Sequence, residues 1–242
     1  MTTQDDGALD EAPLLIGSLL FEGLDQFDLT GPFEALSRIP NATLRVYAKS
    51  PGGVRDARGL RLAPDATLAE APQLDVLHVP GGAGQQALMD DAETLDWIAR
   101  QAAGARYVFS VCTGALICGA AGLLVGRRAT THWASQHLLP YFGAIPVEAR
   151  FVIDGKLFTT AGVSAGLDGA LSLAALLRGA EAAQEIQLYM QYAPQPPFAS
   201  GTPESAPPAV LARARRGFAD IAARREETAK RVAARLGVRA PG

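Results

Sequence analysis

YVFSVCTGALICGAAGLL, residues 107–124, is the stretch on which the fold turns. Tyr107 to Val111 is a short apolar run with the length and composition of a buried strand, and the small and apolar residues that follow at once suit a buried helix. Between the two stand Cys112, Thr113 and Gly114. So few residues allow only a tight strand-to-helix turn, the geometry that displays the serine of a nucleophile elbow.

The same alternation extends in both directions. Towards the N-terminus, DVLHVPGG reads as a strand from Asp75 to Val79 that ends in Pro80-Gly81-Gly82, ahead of a helix from about Gln85 to Ala103. Earlier still, Leu14 to Phe21 and Leu44 to Ser50 read as strands flanking EGLDQFDLTGPFEAL, in which Thr30-Gly31-Pro32 supplies cap and turn chemistry before a helix. Downstream, RRATTHW followed by ASQHLLPYFG reads as strand then helix, and RFVIDGKLFTTAG as a hairpin turned by Asp154-Gly155. Ser164 to Arg178 is a mostly apolar helix, the Pro-rich segment APQPPFASGTPESAPPAV a surface connection, and Ala209 to about Leu236 a last long helix. Strands alternating with helices predict an α/β fold, a mostly parallel sheet with helices on both faces. The organisation expected is a disordered tail over 1–12, a catalytic domain over 13–200, and an extension over 201–242 whose helix packs on that domain.

Composition narrows the function. With 242 residues, 48% of them hydrophobic, the chain can bury one sizeable core. A formal charge of -3 and a pI near 5.7 give no global attraction to nucleic acid or to anionic lipid, so a small molecule is the expected partner. The start, MTTQDDGALDEAP, is acidic and lacks a secretory h-region, and apolar stretches elsewhere are broken by Gly, Pro or charge, so a cytoplasmic protein without membrane contact is expected. The last helix region carries nine basic residues between Arg213 and Arg239 against Asp220, Glu226 and Glu227. Without aromatic interleaving or a recognition motif it reads as a solvated helix face.

Two cysteines, Cys112 and Cys118, cannot build a disulfide scaffold or a Cys-rich zinc site, so their interest is thiol chemistry or packing. In open parallel sheets ligands collect at the carboxyl ends of the strands, where the turn at Cys112, the Pro80-Gly81-Gly82 turn and the loop from Glu22 to Gly31 would meet. A helix start favours thiolate over thiol, so Cys112 is expected to be acidic, whereas Cys118 lies inside an apolar helix and reads as core. An amide-cleaving thiolate needs a histidine to protonate the leaving amine. The three histidines each have a structural reading: His78 in a buried strand, His132 at a strand end, His137 on a helix. Asp28, between Phe27 and Leu29 above the sheet, is the better proton carrier, since desolvation would hold a proton on it near neutral pH. Its other reading is a helix cap, and Glu22 and Asp25 read as solvated loop residues.

Taken together, YVFSVCTGALICGAAGLLVGRRATTHW, FDLTGPFEAL and DVLHVPGG resemble the ThiJ/PfpI superfamily over roughly residues 14–200. That resemblance implies a flavodoxin-like fold with a nucleophilic cysteine on a strained elbow. Asp28 in D-L-T-G-P, Cys112-Thr113 and Ala-Pro-Gln-Pro-Pro-Phe resemble the isonitrile hydratase branch, although Thr159-Thr160-Ala161-Gly162 is poorer in glycine than that branch's pattern. The resemblance implies that Cys112 is the nucleophile, Asp28 the acid/base carboxylate and Thr113 the hydroxyl beside the cysteine, with backbone amides near Gly82 and Val163 bordering the pocket. It further implies a homodimer with no metal or organic cofactor, hydrating an isonitrile, R-NC, to an N-substituted formamide, and the chemistry of a thiolate beside a proton donor makes a thioimidate the expected intermediate. Two rival readings stay open. A cysteine hydrolase or deglycase of the same fold would bring a histidine to Cys112. A ligand-sensing regulator is suggested by AraC-type transcription factors, which join this fold to a further DNA-binding region of roughly 100 residues; about 40 residues follow residue 200 here.

Overall fold

The computed structural model describes residues 12–239, and the tail expected over 1–12 lies outside them but for Ala12. The first half of the chain runs β1 (Leu14–Leu19), α1 (Gln26–Leu36), β2 (Ala42–Ala48), β3 (Val54–Arg55), β4 (Arg61–Leu62), β5 (Ala66–Thr67), β6 (Val76–Val79), α2 (Gln85–Leu88) and α3 (Ala92–Gly104). The second half runs β7 (Tyr107–Ser110), α4 (Gly114–Ala120), β8 (Arg128–Ala129), a 3-10 segment (Trp133–Phe142), β9 (Ile145–Pro146), β10 (Phe151–Asp154), β11 (Leu157–Thr160), α5 (Ala165–Tyr189) and α6 (Pro208–Leu236).

Seven strands form one sheet in the order β10-β11-β7-β6-β1-β2-β5, parallel throughout except where β10 turns back on β11. The fold is therefore the mostly parallel α/β architecture expected from the sequence. Successive strand residues point to opposite faces. Leu77, Val108 and Leu157 thus enter a core shared with α3, α4 and α6, while Val76, Phe109 and Phe158 enter a second core shared with α1 and α5. Phe109 and Phe158 meet edge to face at 5.3 Å between centroids, and truncating either to Ala would cost about 3–5 kcal/mol. The register pairs Ser18 with His78, Val79 with Ser110, and Ser110 with Thr159. That alignment brings the carboxyl ends of β1, β6, β7 and β11 to one level, and the loops that leave them converge.

Several local expectations are corrected. Thr30-Gly31-Pro32 lies inside α1 rather than before it, because Asp25 is the N-cap, its carboxylate accepting the Phe27 N–H at 3.0 Å. The segment around ASQHLLPYFG winds as a 3-10 segment; Pro140 offers no N–H to an α-helical ladder. The helix expected over 164–178 continues to Tyr189, but with a break at Gly179, whose φ of 86° only glycine adopts readily. The last helix, expected to pack on the domain with one face solvated, turns a buried stripe of Arg225, Thr228, Ala229, Val232 and Ala233 inward. Among the described residues no helix is long and apolar enough to cross a membrane.

Candidate active site

Cys112 sits where β7 gives way to α4, with a φ of 56°. A non-glycine residue in this left-handed region carries strain of about 1–3 kcal/mol and stays there only if its surroundings fix it. Three bonds do so. The Cys112 N–H donates to the Ala161 carbonyl at 3.0 Å, the Thr131 hydroxyl donates to the Cys112 carbonyl at 2.7 Å, and the Gly114 N–H closes the turn on the Val111 carbonyl at 2.9 Å. Gly114 has no alternative, because a Cβ there would lie 2.1 Å from the Val79 carbonyl oxygen. The elbow is thus pressed onto the end of the neighbouring strand.

The thiol is buried, 6% exposed, and the backbone N–H groups of Thr113 and Val163 are directed at its Sγ. Facing it from α1 is Asp28, fully buried, whose Oδ2 accepts the Gly81 N–H at 3.0 Å while Oδ1 has no conventional partner. The carboxyl and the thiol are coupled side chain to side chain. Burial, reinforced by the nearby Asp25 carboxylate, pushes the Asp28 carboxyl from 3.8 up to about 8, so it holds a proton at neutral pH. Burial and Asp28 also push the Cys112 thiol upward, which reverses the acidic shift expected from the helix start. The reason is physical: α4 is only seven residues long, and its N–H groups do not outweigh desolvation beside a second acid. The two acids titrate as one unit.

Thr113 does not bond to Asp28. Its hydroxyl accepts the Gly82 N–H at 3.1 Å and faces the Gly82 carbonyl at 3.3 Å, so it fastens the elbow to the turn after β6. Gly82, at φ +128°, lies so close to the first loop that a Cβ would come within 2.2 Å of the Asp25 nitrogen. The structure therefore brings Cys112, Asp28, Thr113, Gly82 and Val163 together.

The histidines stand apart from the thiol's hydrogen bonds. His78 is buried beneath the site, bonded through Nδ1 to the Ser18 hydroxyl at 2.8 Å, and burial lowers it to about 3, so it is neutral. Its ring approaches the Asp28 carbonyl, which Pro32, having no N–H, cannot serve in the helical ladder. His132 accepts the Ala134 N–H, packs on Trp133 and Phe218, and is lowered to about 4 by burial and by Arg225. His137 lines an outer groove of about 300 Å³ with Trp133, Arg215 and Phe218. Cys118 is core, 1% exposed, its thiol pushed up to about 12 by burial. Among the described residues no group of His, Cys, Asp and Glu could hold a metal ion.

Sequence reasoning passed over Arg225. It reaches from α6 to donate through Nε to Gln85 Oε1 at 2.9 Å and through Nη2 to the Gly82 carbonyl at 2.8 Å. The signal was available, because Arg225 falls in helical register with the stripe formed by Thr228, Ala229 and Val232.

Residues 16–176 match the model of the DJ-1/PfpI family. The chain belongs to the DJ-1/PfpI family. It is 52% identical over 226 residues to an isonitrile hydratase of Pseudomonas putida, an alignment covering 93% of this chain and 99% of that one. A crystal structure of a ThiJ/PfpI family protein from Pseudomonas syringae superposes with a TM-score of 0.89 at 39% identity, covering 95% and 96% of the two chains. This DJ-1/PfpI chain is also 32% identical over 195 residues to the HTH-type transcriptional regulator GbdR of Pseudomonas aeruginosa, covering 75% of this chain but 52% of the regulator. The elbow cysteine is thus set in a fold shared by enzymes and regulators, and residue chemistry must separate the two.

Proposed function

We propose that this protein is an isonitrile hydratase, a carbon-oxygen hydro-lyase that turns R-NC and water into an N-substituted formamide. The observation that carries the reading is the buried pair of Cys112 and a proton-holding Asp28, alongside 52% identity to an enzyme of that name. The terminal carbon of an isonitrile accepts a soft nucleophile while it takes up a proton, so a thiolate beside a protonated carboxyl matches both demands. Amide cleavage would instead need a proton for a leaving amine, and the groups that act on the thiol are Asp28, Thr113 and Val163 rather than a histidine.

In the mechanism, the Cys112 thiolate forms the C–S bond as the Asp28 proton passes to the same carbon, giving a thioimidate and an Asp28 carboxylate. Water then adds to that carbon, and Asp28 relays one of its protons to nitrogen. The hydroxyl proton returns to Asp28 as the C–S bond breaks, releasing R-NH-CHO and the thiolate. Every atom of isonitrile and water is retained. The N–H groups of Thr113 and Val163 serve the sulfur, Thr113 holds the elbow to Gly82, and no metal or organic cofactor takes part. A panel of alkyl and aryl isonitriles assayed for formamide tests the reading; no turnover on any member would refute it.

Residues 13–200 form the domain that carries Cys112 and Asp28, with 201–242 as an extension whose helix packs on it, and the reducing cytoplasm, which suits two free thiols, is the compartment. The active form is a homodimer. Edge strand β10 exposes Phe151 and Ile153, 36% and 41% accessible, and exposed apolar side chains on an edge strand are a liability that closed twofold pairing removes. Light scattering at micromolar concentration should give twice the chain mass, and a monomer would refute the assignment.

A further inference from the structure

Arg225 is 6% exposed, and both of its hydrogen-bond acceptors, Gln85 Oε1 and the Gly82 carbonyl, are neutral. None of the ion pairs among the described residues includes it. A buried guanidinium without a counter-charge is costly and is rarely kept without one. The other buried arginine, Arg178, is served by three main-chain carbonyls, those of Pro40, Leu177 and Ala12. Arg225 has one such carbonyl, and that carbonyl belongs to the turn that also holds the site: Gly81 N–H binds Asp28, and Gly82 N–H binds Thr113, the residue after Cys112.

The charged and titratable groups around the thiol can be taken element by element. Asp28 faces it from α1 and opposes a negative sulfur, while Asp25 at the helix cap acts on Asp28. His132 is held neutral by burial. From α6, Arg225 interacts with Cys112 across the site, while Arg224 opposes the charge on Arg225. The guanidinium, held on the Gly82 carbonyl, is thus a full positive charge whose interaction with the thiolate is attractive.

Resting on the reading of Cys112 as nucleophile, we propose that Arg225 is the counter-charge of the Cys112 thiolate, so that the C-terminal helix is part of the active site. The pair of acids then carries one negative charge at neutral pH, with the remaining proton on Asp28, which is the form the hydration needs. Arg225 touches neither substrate nor reacting atoms; it is a positioning residue that acts through charge and through the Gly82 turn.

The test follows the thiol rather than turnover, so it is independent of whether isonitriles are the substrates. The rate of Cys112 alkylation by iodoacetamide is measured against pH in the wild type, Arg225→Met and Arg225→Lys, with folding checked by circular dichroism. A full charge acting across a partly desolvated site is worth about one to two pH units. Arg225→Met should move the alkylation midpoint up by that amount, while Arg225→Lys, which keeps the charge and loses the fork, should move it by less than half as much. An unchanged midpoint in a folded Arg225→Met overturns the proposal, and so does an equal shift in both variants, since that is the mark of packing alone. Should the variants not fold, thiolate ultraviolet absorbance of wild type against Cys112→Ser decides: a thiolate present at neutral pH supports the counter-charge, and its absence below about pH 9 overturns it.

Discussion

Replacing Cys112 by Ser should leave the fold intact and reduce formamide production by on the order of a thousandfold or more, because an unactivated hydroxyl with a pKa far above neutrality cannot stand in for a thiolate. The substitution is nearly isosteric, and the three bonds that hold the elbow at φ 56° are made by its main chain, which the change leaves alone. Loss of stability therefore does not compete as an explanation. Two further measurements bear on the same residue. Brief iodoacetamide treatment of the wild type should modify Cys112 before Cys118, since Cys118 is enclosed by α4 and the 3-10 segment and its thiol is raised to about 12. Acid quenching during turnover should leave a fraction of the protein heavier by the whole isonitrile, on the peptide that contains Cys112. Direct attack by water would give no adduct. Turnover by Cys112→Ser at the wild-type rate would remove both the mechanism and the site.

How much of this the sequence carries depends on the range over which each feature is determined. The elbow is local: an apolar strand, Cys112-Thr113-Gly114 and a small-residue helix leave one geometry, so it is legible. The parallel sheet is legible for the same reason, since buried strands of four to seven residues separated by helices admit few other arrangements. Strands β3, β4 and β5 are two residues each and too short to show any period. Asp28 could be picked out by its apolar neighbours, but not its surroundings, because the N-cap of α1 is Asp25 and the bond to Gly81 spans 53 residues. Thr113 was legible as a hydroxyl beside the cysteine, yet its partner is fixed by the approach of the β6 turn, which only the assembled sheet defines. Counting charges on the last helix hid Arg225, whereas its helical register would have placed it on the buried stripe.

Asp28→Asn separates the acid from the helix that carries it. The expected result is a loss of turnover of on the order of a hundredfold or more, because the amide fills the same space and still accepts the Gly81 N–H but cannot deliver a proton. The wild-type enzyme should itself lose activity as pH rises through about 8, where the Asp28 carboxyl gives up its proton, and this limb should be missing from what activity the variant retains. Stability should follow pH in the same direction. The carboxyl is raised from 3.8 in the unfolded chain to about 8 in the fold, so between those values the folded state binds the extra proton. Its stabilisation is therefore complete below pH 3.8 and is lost as pH rises towards 8. Asparagine does not titrate, so melting temperatures of variant and wild type compared at about pH 5 and about pH 9 should diverge in favour of Asp28→Asn at the higher pH, at about 2–4 °C for each kcal/mol. A variant with near-normal turnover and a melting temperature that tracks the wild type across that range would return Asp28 to a purely structural place in α1.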